Sequence, residues 1–290
     1  MPARFWHDLT WPEFAALDKR RAVAVLPIAA TEQHGPHLTV SVDATINDGV
    51  VAAAMGAVPE DVVCLVLPTQ AIGVSVEHGR FPGSLTVRPE TALAAWEEIG
   101  ASVAAAGIRR LLLLNSHGGQ PQIAEIVCRR LRIAHRMFAA TVMWNRLIRL
   151  DDLVPADELR FGIHAGQVET SLMLALAPHR VRPDQARRFP NATAAWDNLT
   201  ALRRGGAVAF GWQAEDLNEA GAVGDASAAS ETLGREILRR AGEATARLIA
   251  EMAEIEVDVL PCGDRAWLIL TRCLPISGRS RPRLTTRWFG

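Results

Sequence analysis

The sequence predicts an α/β protein of three layers (α/β/α), in which helices cover both faces of a mainly parallel sheet. Short, almost continuous apolar runs alternate along the chain with longer segments whose apolar residues recur at about helical spacing. The run at 22–28 (AVAVLPI) has no polar alternate positions, which is typical of a strand buried on both faces. Each predicted strand leads into a polar loop and then a helix, and this repeated order favours a parallel sheet.

The predicted elements follow one another in a regular order. Thr10 is a predicted helix N-cap, and the helix extends to about Asp18. Four strands are predicted over 22–28, 62–67, 110–115 and 138–143, and connecting helices over 44–55, 89–106 and 120–134. Beyond them we expect mostly loop over 149–165, a short helix over 167–176 and a long helix over 230–252. The segment 181–222 has no clear pattern, and a lid or an oligomer contact is the expectation there.

Composition and length restrict the class of protein. The 290 residues, 49% of them hydrophobic, suffice for one large domain, predicted over 1–262 and followed by a poorly ordered, Arg-rich tail over 263–290. The net charge of −1 gives no general attraction to nucleic acid or to an anionic membrane, so we expect neither partner. We see no membrane span and no signal peptide. The four cysteines form no CxxC pair, which indicates free thiols and a cytoplasmic location.

Candidate metal ligands lie in the loop after the first predicted strand. Glu32, His34, His37 and Asp43 occur there within twelve positions. Carboxylates and imidazoles are ligands that divalent metals take in proteins. A metal lowers the pKa of bound water from about 15.7 to about 7, and amide hydrolysis at neutral pH needs such a source of hydroxide. The loop therefore predicts the metal site of a hydrolase.

Three further segments carry candidate groups: the loops after the second and third strands, and the start of the helix at 167–176. These groups are Ser75, Glu77, His78, His117, Gly118, Gly119, His164 and Glu169. Because the carboxyl ends of parallel strands meet at one edge of the sheet, we expect the groups to share one cleft.

The candidate residues are sufficient for a pair of metal ions. Two ions need about five or six side-chain ligands, with one carboxylate bridging them. That number is met by Glu32, His34, Asp43, His117 and Glu169. Asp43 is the expected bridge, because a carboxylate offers two oxygens. Gly118 and Gly119 would let the backbone approach a ligand or a substrate closely.

Each of these residues also has a simpler structural interpretation. Asp43 would cap the following helix, and Glu169 would be a favourable acid in a first helical turn. His117 and His164 would be loop histidines with backbone partners, and His37 is predicted to be structural. The occurrence of all four segments in one chain favours the shared metal site over these separate roles.

Four motifs resemble, in the same order, those of the creatininase (creatinine amidohydrolase) family. They are LPIAATEQHGPHLTVSVD, GVSVEHGRFPGSL, NSHGGQ and HAGQVETS, and the resemblance extends over about 23–176. It implies a creatininase-like fold and a homo-oligomer, often a hexamer. It also implies a binuclear zinc, manganese or iron centre that hydrolyses amide C–N bonds other than standard peptide bonds.

The resemblance also implies a role for individual residues. One ion would be held by Glu32, Asp43 and His117, and the other by His34, Asp43 and Glu169. We expect a metal-bridging hydroxide to attack the amide carbonyl, with His164 protonating the departing nitrogen. His164 and Glu169 are the predicted catalytic residues. The predicted substrate-binding residues are Ser75, Glu77, His78, Gly118, Gly119 and Trp144.

Two departures from the family pattern leave the substrate open. Creatininase itself has an aromatic residue and a metal-binding Glu after the third-motif histidine, where this chain has Gly118 and Gly119. Trp144 matches one substrate-stacking tryptophan of the family, but residues 159–161, before His164, include no tryptophan. The Gly-Gly form resembles branches that deformylate formamides or trim a peptide in mycofactocin maturation. Cyclic amides, formamides and small peptides are therefore the candidate substrates.

Two other classes of function compete with this prediction. The missing acid at Gly119 suggests a catalytically weak relative that acts as a binding or assembly subunit. The α/β pattern alone would also fit a nucleotide-binding Rossmann domain, but no GxGxxG follows the first strand. Metal analysis distinguishes the enzyme from the weak relative, which should purify with little metal or bind it without activity.

Overall fold

The centre of the computed structural model, which describes residues 4–202 and 208–258, is a five-stranded parallel sheet. Its strands are β1 (Arg4–Phe5), β2 (Val23–Ile28), β3 (Cys64–Val66), β4 (Arg110–Asn115) and β5 (Phe138–Met143). Their spatial order is β1-β3-β2-β4-β5, and every pairing between them is parallel. The predicted parallel sheet is confirmed, and β4 and β5 have the predicted bounds.

Helices cover both faces of this sheet. They are α1 (Trp11–Ala16), α2 (Val42–Met55), α3 (Pro89–Ala105), α4 (Pro121–His135), α5 (Ala156–Phe161), α6 (Gln167–Leu176), α7 (Ala214–Leu217) and α8 (Glu231–Glu254). On one face α2, α6 and α8 pack against one another, and on the other face α3 packs against α4. The predicted three-layer α/β/α arrangement is therefore confirmed.

The two hydrophobic cores follow from the alternation of side chains along the central strands. Leu112 and Leu114 of β4 belong to the core formed with α2, α6 and α8. Leu111 and Leu113 belong to the core formed with α3 and α4. Because successive side chains of a strand point to opposite faces, a strand between two helical layers must be apolar at nearly every position. All residues of β2 and β4 are buried.

The strand order creates a crevice at the carboxyl ends of β2 and β4. The chain leaves β2 through α2 on one face to reach β3, and then passes through α3 on the opposite face to reach β4 on the other side of β2. Ligands of open α/β sheets bind at such a switch point. Asn47 of α2 joins the two strand ends, because its amide donates to the carbonyls of Ile28 (3.0 Å) and Leu114 (2.9 Å).

Some short elements differ from the predictions. Strand β1 was not predicted, and neither was the antiparallel pair of β6 (Arg188–Phe189) and β7 (Gly224–Asp225). Strands of two residues have no periodicity, so their tertiary neighbours decide them. Helix α5 lies inside the predicted loop 149–165. Helix α2 begins at Val42, which places Asp43 inside its first turn.

The chain divides after Val257 into two units, and the first contains every element named above. The predicted tail over 263–290, Cys262 and Cys273 lie outside the described residues, as do residues 203–207. Cys64 and Cys128 are buried free thiols, as predicted. None of the described helices combines the length and the hydrophobicity that crossing a membrane requires.

Candidate metal centre

The residues predicted from separate motifs meet at the carboxyl edge of the sheet. Glu32 and His34 lie in the loop after β2, and Asp43 lies in the first turn of α2. His117 follows β4, and Glu169 lies in the first turn of α6. The first four are at most 3% exposed, whereas the side chain of Glu169 is 21% exposed. Four of the five side chains are therefore almost fully buried, and Glu169 is partly exposed.

These residues form two groups of three ligating side chains that share Asp43. In the first group, His117 Nδ1 lies 3.2 Å from Glu32 Oε1 and 3.3 Å from Asp43 Oδ2. In the second, His34 Nε2 lies 3.4 Å from Asp43 Oδ1 and 3.7 Å from Glu169 Oε2. Within each group the ligating atoms are within 4.8 Å of one another. The two oxygens of Asp43 thus face different groups, as a bridging carboxylate requires.

Hydrogen bonds of the two imidazoles direct a free nitrogen into the cluster. His34 Nδ1 donates to the Glu32 carbonyl (3.0 Å), and His117 Nε2 donates to the Val74 carbonyl (2.8 Å). The opposite nitrogen of each neutral ring then carries a lone pair, and backbone carbonyls orient metal-binding histidines in this way. His34 Nε2, Asp43 Oδ2 and Glu32 Oε2 are buried without a hydrogen-bond partner. The donor set therefore fits divalent cations.

The carboxylates create a negative potential inside the cluster. Burial lowers the pKa of His34, but Asp43, Glu169 and Glu32 outweigh burial and raise it to about 9. Burial likewise lowers the pKa of His117, while Glu32 and Asp43 raise it well above its usual value. Burial raises the pKa of Glu169 to about 7. In the metal-free protein, the carboxylates therefore keep His34 and His117 protonated to a higher pH than usual. A divalent cation in the cluster would take the place of this positive charge.

Side-chain hydrogen bonds shape the loop after β4. Asn115 accepts the backbone N–H of His117 (3.0 Å) and donates to its carbonyl (2.8 Å). Gln120 donates to the Asn115 side chain (3.0 Å) and accepts the N–H of Val74 (3.1 Å). The asparagine and glutamine of the NSHGGQ motif thus hold His117 and the loop residue Val74, which accepts its ring N–H.

His164 lies against the same cluster. Its Nδ1 is 3.8 Å from Glu32 Oε1, and its ring centroid is 4.0 Å from that of His34. Its Nε2 donates to the Gln33 carbonyl (2.8 Å), which leaves the lone pair of the neutral ring on Nδ1. Burial, together with His34 and His78, holds the pKa of His164 well below its usual value. His164 also forms a third ligating group with Glu32 and His34, so its Nδ1 can accept a proton or bind a cation.

Gln33 was not predicted, although it orients a histidine of the site. Its amide donates to His78 Nδ1 (2.8 Å) and to the Gly221 carbonyl (2.7 Å). The proton of neutral His78 then lies on Nε2, which is 3.4 Å from Glu32 Oε1 and stabilises that carboxylate. A glutamine in a polar loop has no pattern that separates this role from simple solvation.

The side chain of His37 contacts the turn before helix α6 and the first part of that helix. Its Nε2 lies 3.0 Å from the Ala165 carbonyl and 3.0 Å from Thr170 Oγ1. Burial lowers the pKa of His37 to about 4, so the ring is neutral at pH 7. The prediction that His37 is structural agrees with these contacts.

The cluster opens into a cleft of about 690 Å³. Of the predicted substrate-binding residues, the cleft wall includes Glu77, His78, Gly118, Gly119 and Trp144. Ser75 is fully buried and is not among the described residues of the cleft wall; its hydroxyl lies 3.5 Å from His117 Nε2, and its contact with a substrate stays a prediction. Trp212 supplies a second indole to the wall. No motif predicts Trp212, because only tertiary packing brings it to the site.

The Glu77 carboxylate fills the space beside Gly119. A Cβ on Gly119 would lie 2.0 Å from Glu77 Oε1 and 2.5 Å from His117 Nε2, whereas a Cβ on Gly118 would have no neighbour within 4 Å. Glu77 Oε1 is 3.5 Å from His117 Nε2. Burial raises the pKa of Glu77. A carboxylate from another loop therefore lies where a side chain at position 119 would begin.

The fold and this cluster define an α/β protein with a candidate divalent-metal centre at the switch point of its sheet. Residues 7–249 match the family model described as Creatininase, creatinine amidohydrolase. The chain belongs to the creatininase family of hydrolases, which confirms the resemblance seen in the motifs.

Two curated relatives show the range of this similarity. A mycofactocin precursor peptide peptidase of Mycobacterium tuberculosis (strain ATCC 25618 / H37Rv) is 33% identical over 221 residues, covering 73% of this chain and 78% of the relative. A creatinine amidohydrolase of Pseudomonas putida is 31% identical over 206 residues, covering 65% of this chain and 78% of the relative.

Solved structures named creatininase share the fold. A manganese form is 25% identical with a TM-score of 0.68, and covers 87% of this chain and 99% of its own. A Zn-Zn form is also 25% identical with a TM-score of 0.68, and covers 87% and 98%. By their names, these two similar proteins contain manganese and zinc.

Proposed function

We propose that this protein is an amidohydrolase that uses two divalent ions, zinc, manganese or iron, to hydrolyse an amide C–N bond. The observation that carries the proposal is the pair of ligating groups that share Asp43, each with its atoms within 4.8 Å. The buried atoms without partners and the negative potential support the same conclusion. Bound ions would lower the pKa of water toward neutrality and stabilise negative charge on the carbonyl oxygen.

The side chains of the cluster would hold the ions and move a proton. Asp43 would contribute one oxygen to each ion, with Glu32 and His117 on one side and His34 and Glu169 on the other. His164 is neutral at pH 7, because burial and its positive neighbours lower its pKa. Its Nδ1 would take the proton from the attacking water and deliver it to the departing nitrogen.

The substrate lies among cyclic amides, formamides and small peptides. The cleft of about 690 Å³ is in the range that encloses a drug-sized ligand. The indole of Trp212 on its wall is partly exposed and offers apolar contact area, whereas the indole of Trp144 is 3% exposed and packs into the core. These features favour a small peptide or a substituted cyclic amide over a simple formamide. The peptidase and the amidohydrolase among the relatives cover both classes.

A screen of small amides against the metal-loaded protein tests the proposal. Glu32→Gln should remove turnover, because an amide nitrogen replaces a carboxylate oxygen of the first group. Glu98→Gln is the matched control, since Glu98 is exposed on α3 and lies outside both the ligating groups and the cleft wall. Turnover that persists after chelation, with no metal bound, would contradict the proposal. A protein that purifies with metal yet hydrolyses none of the three classes would favour the binding or assembly subunit.

The assembly and the location are also part of the proposal. The resemblance of the motifs is the support for a homo-oligomer, often a hexamer in this family. The free thiols of Cys64 and Cys128 are the support for a cytoplasmic location. Light scattering of the purified protein measures the number of chains, and a monomer would contradict the first of these proposals.

A further inference from the structure

Glu158 of α5 is a buried carboxylate outside the ligating groups. It is 8% exposed, and it accepts the backbone N–H of Gln167 (2.7 Å) and of Asp225 (2.8 Å). Gln167 begins α6, whose first turn carries Glu169, and Asp225 ends β7. One carboxylate thus joins the helix that bears a candidate metal ligand to a strand beside it.

Three glycines enclose this carboxylate. A Cβ on Gly162, Gly166 or Gly224 would lie 2.2, 2.3 or 2.5 Å from Glu158 Oε1. Any side chain at these positions would collide with the carboxylate, so the backbone can approach it only where these residues are glycine. The enclosure shows that the chain is built around Glu158 in this conformation.

The segment between these contacts carries His164. Its carbonyl accepts the N–H of Val223 (2.8 Å), and its own N–H donates back to the Val223 carbonyl (3.4 Å). The next residue, Ala165, has a φ of 56°, in the left-handed region that residues with a Cβ rarely adopt. The Ala165 N–H donates to Glu169 Oε2 (2.5 Å). Contacts on both sides of the turn have to stabilise it, because an alanine without such contacts would adopt a negative φ.

We propose that Glu158 is a positioning residue for the metal centre. By binding Gln167 at the start of α6 and Asp225 at the end of β7, it holds the turn at Ala165 so that His164 and Glu169 face Asp43 and His34. The inference rests on the proposed metal-binding function. It predicts that Glu158 affects the metal without touching it.

The test measures Zn²⁺ affinity by competition with a chromophoric chelator. Glu158→Ala should weaken binding about 10–100-fold, the usual effect of losing a residue that orients a ligand. Added formate should restore part of the affinity, because the enclosure left by the truncated side chain accepts a small carboxylate. Wild-type protein with formate controls for direct binding of formate to zinc. Asp157→Asn is the matched control, since Asp157 is exposed on the same helix.

A second variant separates positioning from general stability. Glu158→Gln keeps the volume of the side chain but sets an amide NH₂ against one backbone N–H, so it should weaken Zn²⁺ binding without any rescue by formate. Circular dichroism and thermal unfolding monitor the fold of each variant. Wild-type affinity in a folded Glu158→Gln protein, or loss in Glu158→Ala that formate does not alter, would overturn the inference. Wild-type protein that binds zinc but hydrolyses no amide would refute the proposed function and leave this metal-binding test valid.

Discussion

Replacing Gly119 by alanine should disturb the metal centre, whereas the same change at Gly118 should not. The new Cβ at position 119 would lie 2.0 Å from Glu77 Oε1 and 2.5 Å from His117 Nε2, and at position 118 it would have no neighbour within 4 Å. Both glycines have ordinary negative φ values, because neither belongs to the positive-φ residues. The pair therefore differs in crowding and not in backbone strain.

The size of the effect depends on which neighbour moves. The His117 ring is 3% exposed and its Nε2 donates to Val74 at 2.8 Å, so a shift would break that bond and move Nδ1 within the cluster. The Glu77 carboxylate is the end of a flexible side chain and can move at lower cost. Overpacking of this kind typically costs about 1–3 kcal/mol. We expect Gly119→Ala to lose that amount of stability and Gly118→Ala to change it by less than about 0.5 kcal/mol.

Urea unfolding of the metal-free variants and their Zn²⁺ affinity are the measurements. Adding Glu77→Ala removes the closest contact, so the double variant should be less destabilised than the sum of the single changes by about 0.5–3 kcal/mol. Equal stability and equal metal affinity for the two alanine variants would refute the assigned crowding. Additive effects of Gly119→Ala and Glu77→Ala would show that the two residues do not share the space.

Three further predictions concern the cluster itself. Asp43→Asn should lower the bound metal by at least one ion per chain, measured by elemental analysis, because an amide presents only one oxygen; an unchanged metal content would contradict the bridging role. His164→Gln should lower kcat about 10²–10⁴-fold with the metal content unchanged, as expected of a proton carrier; loss of metal would instead make His164 a ligand. The pKa of His34 is raised from 6.5 to about 9 in the metal-free protein, so metal binding at pH 7 should release protons, and affinity should rise with pH toward about 9. Because the pKa of His34 is higher in the folded protein than in the unfolded chain, its protonation stabilises the metal-free fold. This stabilisation is complete below pH 6.5 and is lost as the pH passes about 9. Calorimetry in buffers of different ionisation enthalpy measures the protons, and a pH-independent affinity would refute the assignment.

The sequence was sufficient for four of the five strands of the sheet and for the edge at which the candidate site lies. Strands β2 and β4 lie between two helical layers, so both of their faces need apolar side chains, and this requirement is visible as uninterrupted apolar runs. The ligating residues follow such strands or begin helices, and parallel strands bring their carboxyl ends to one edge. Glu32, Asp43 and His117 could therefore be grouped from their positions along the chain.

Other features arise from contacts between segments far apart in the sequence. Strand β1 is defined by its pairing with β3, and Trp212 reaches the cleft through tertiary packing. The enclosure of Glu158 by glycines is invisible in the sequence, because no period relates position 158 to position 224. Local patterns report what each segment must bury, and so they determine the layers and the candidate ligands. Glu77 fills the space beside Gly119, and these two residues lie in different loops. Only the packing of the whole chain brings them together, so no local pattern predicts the contact.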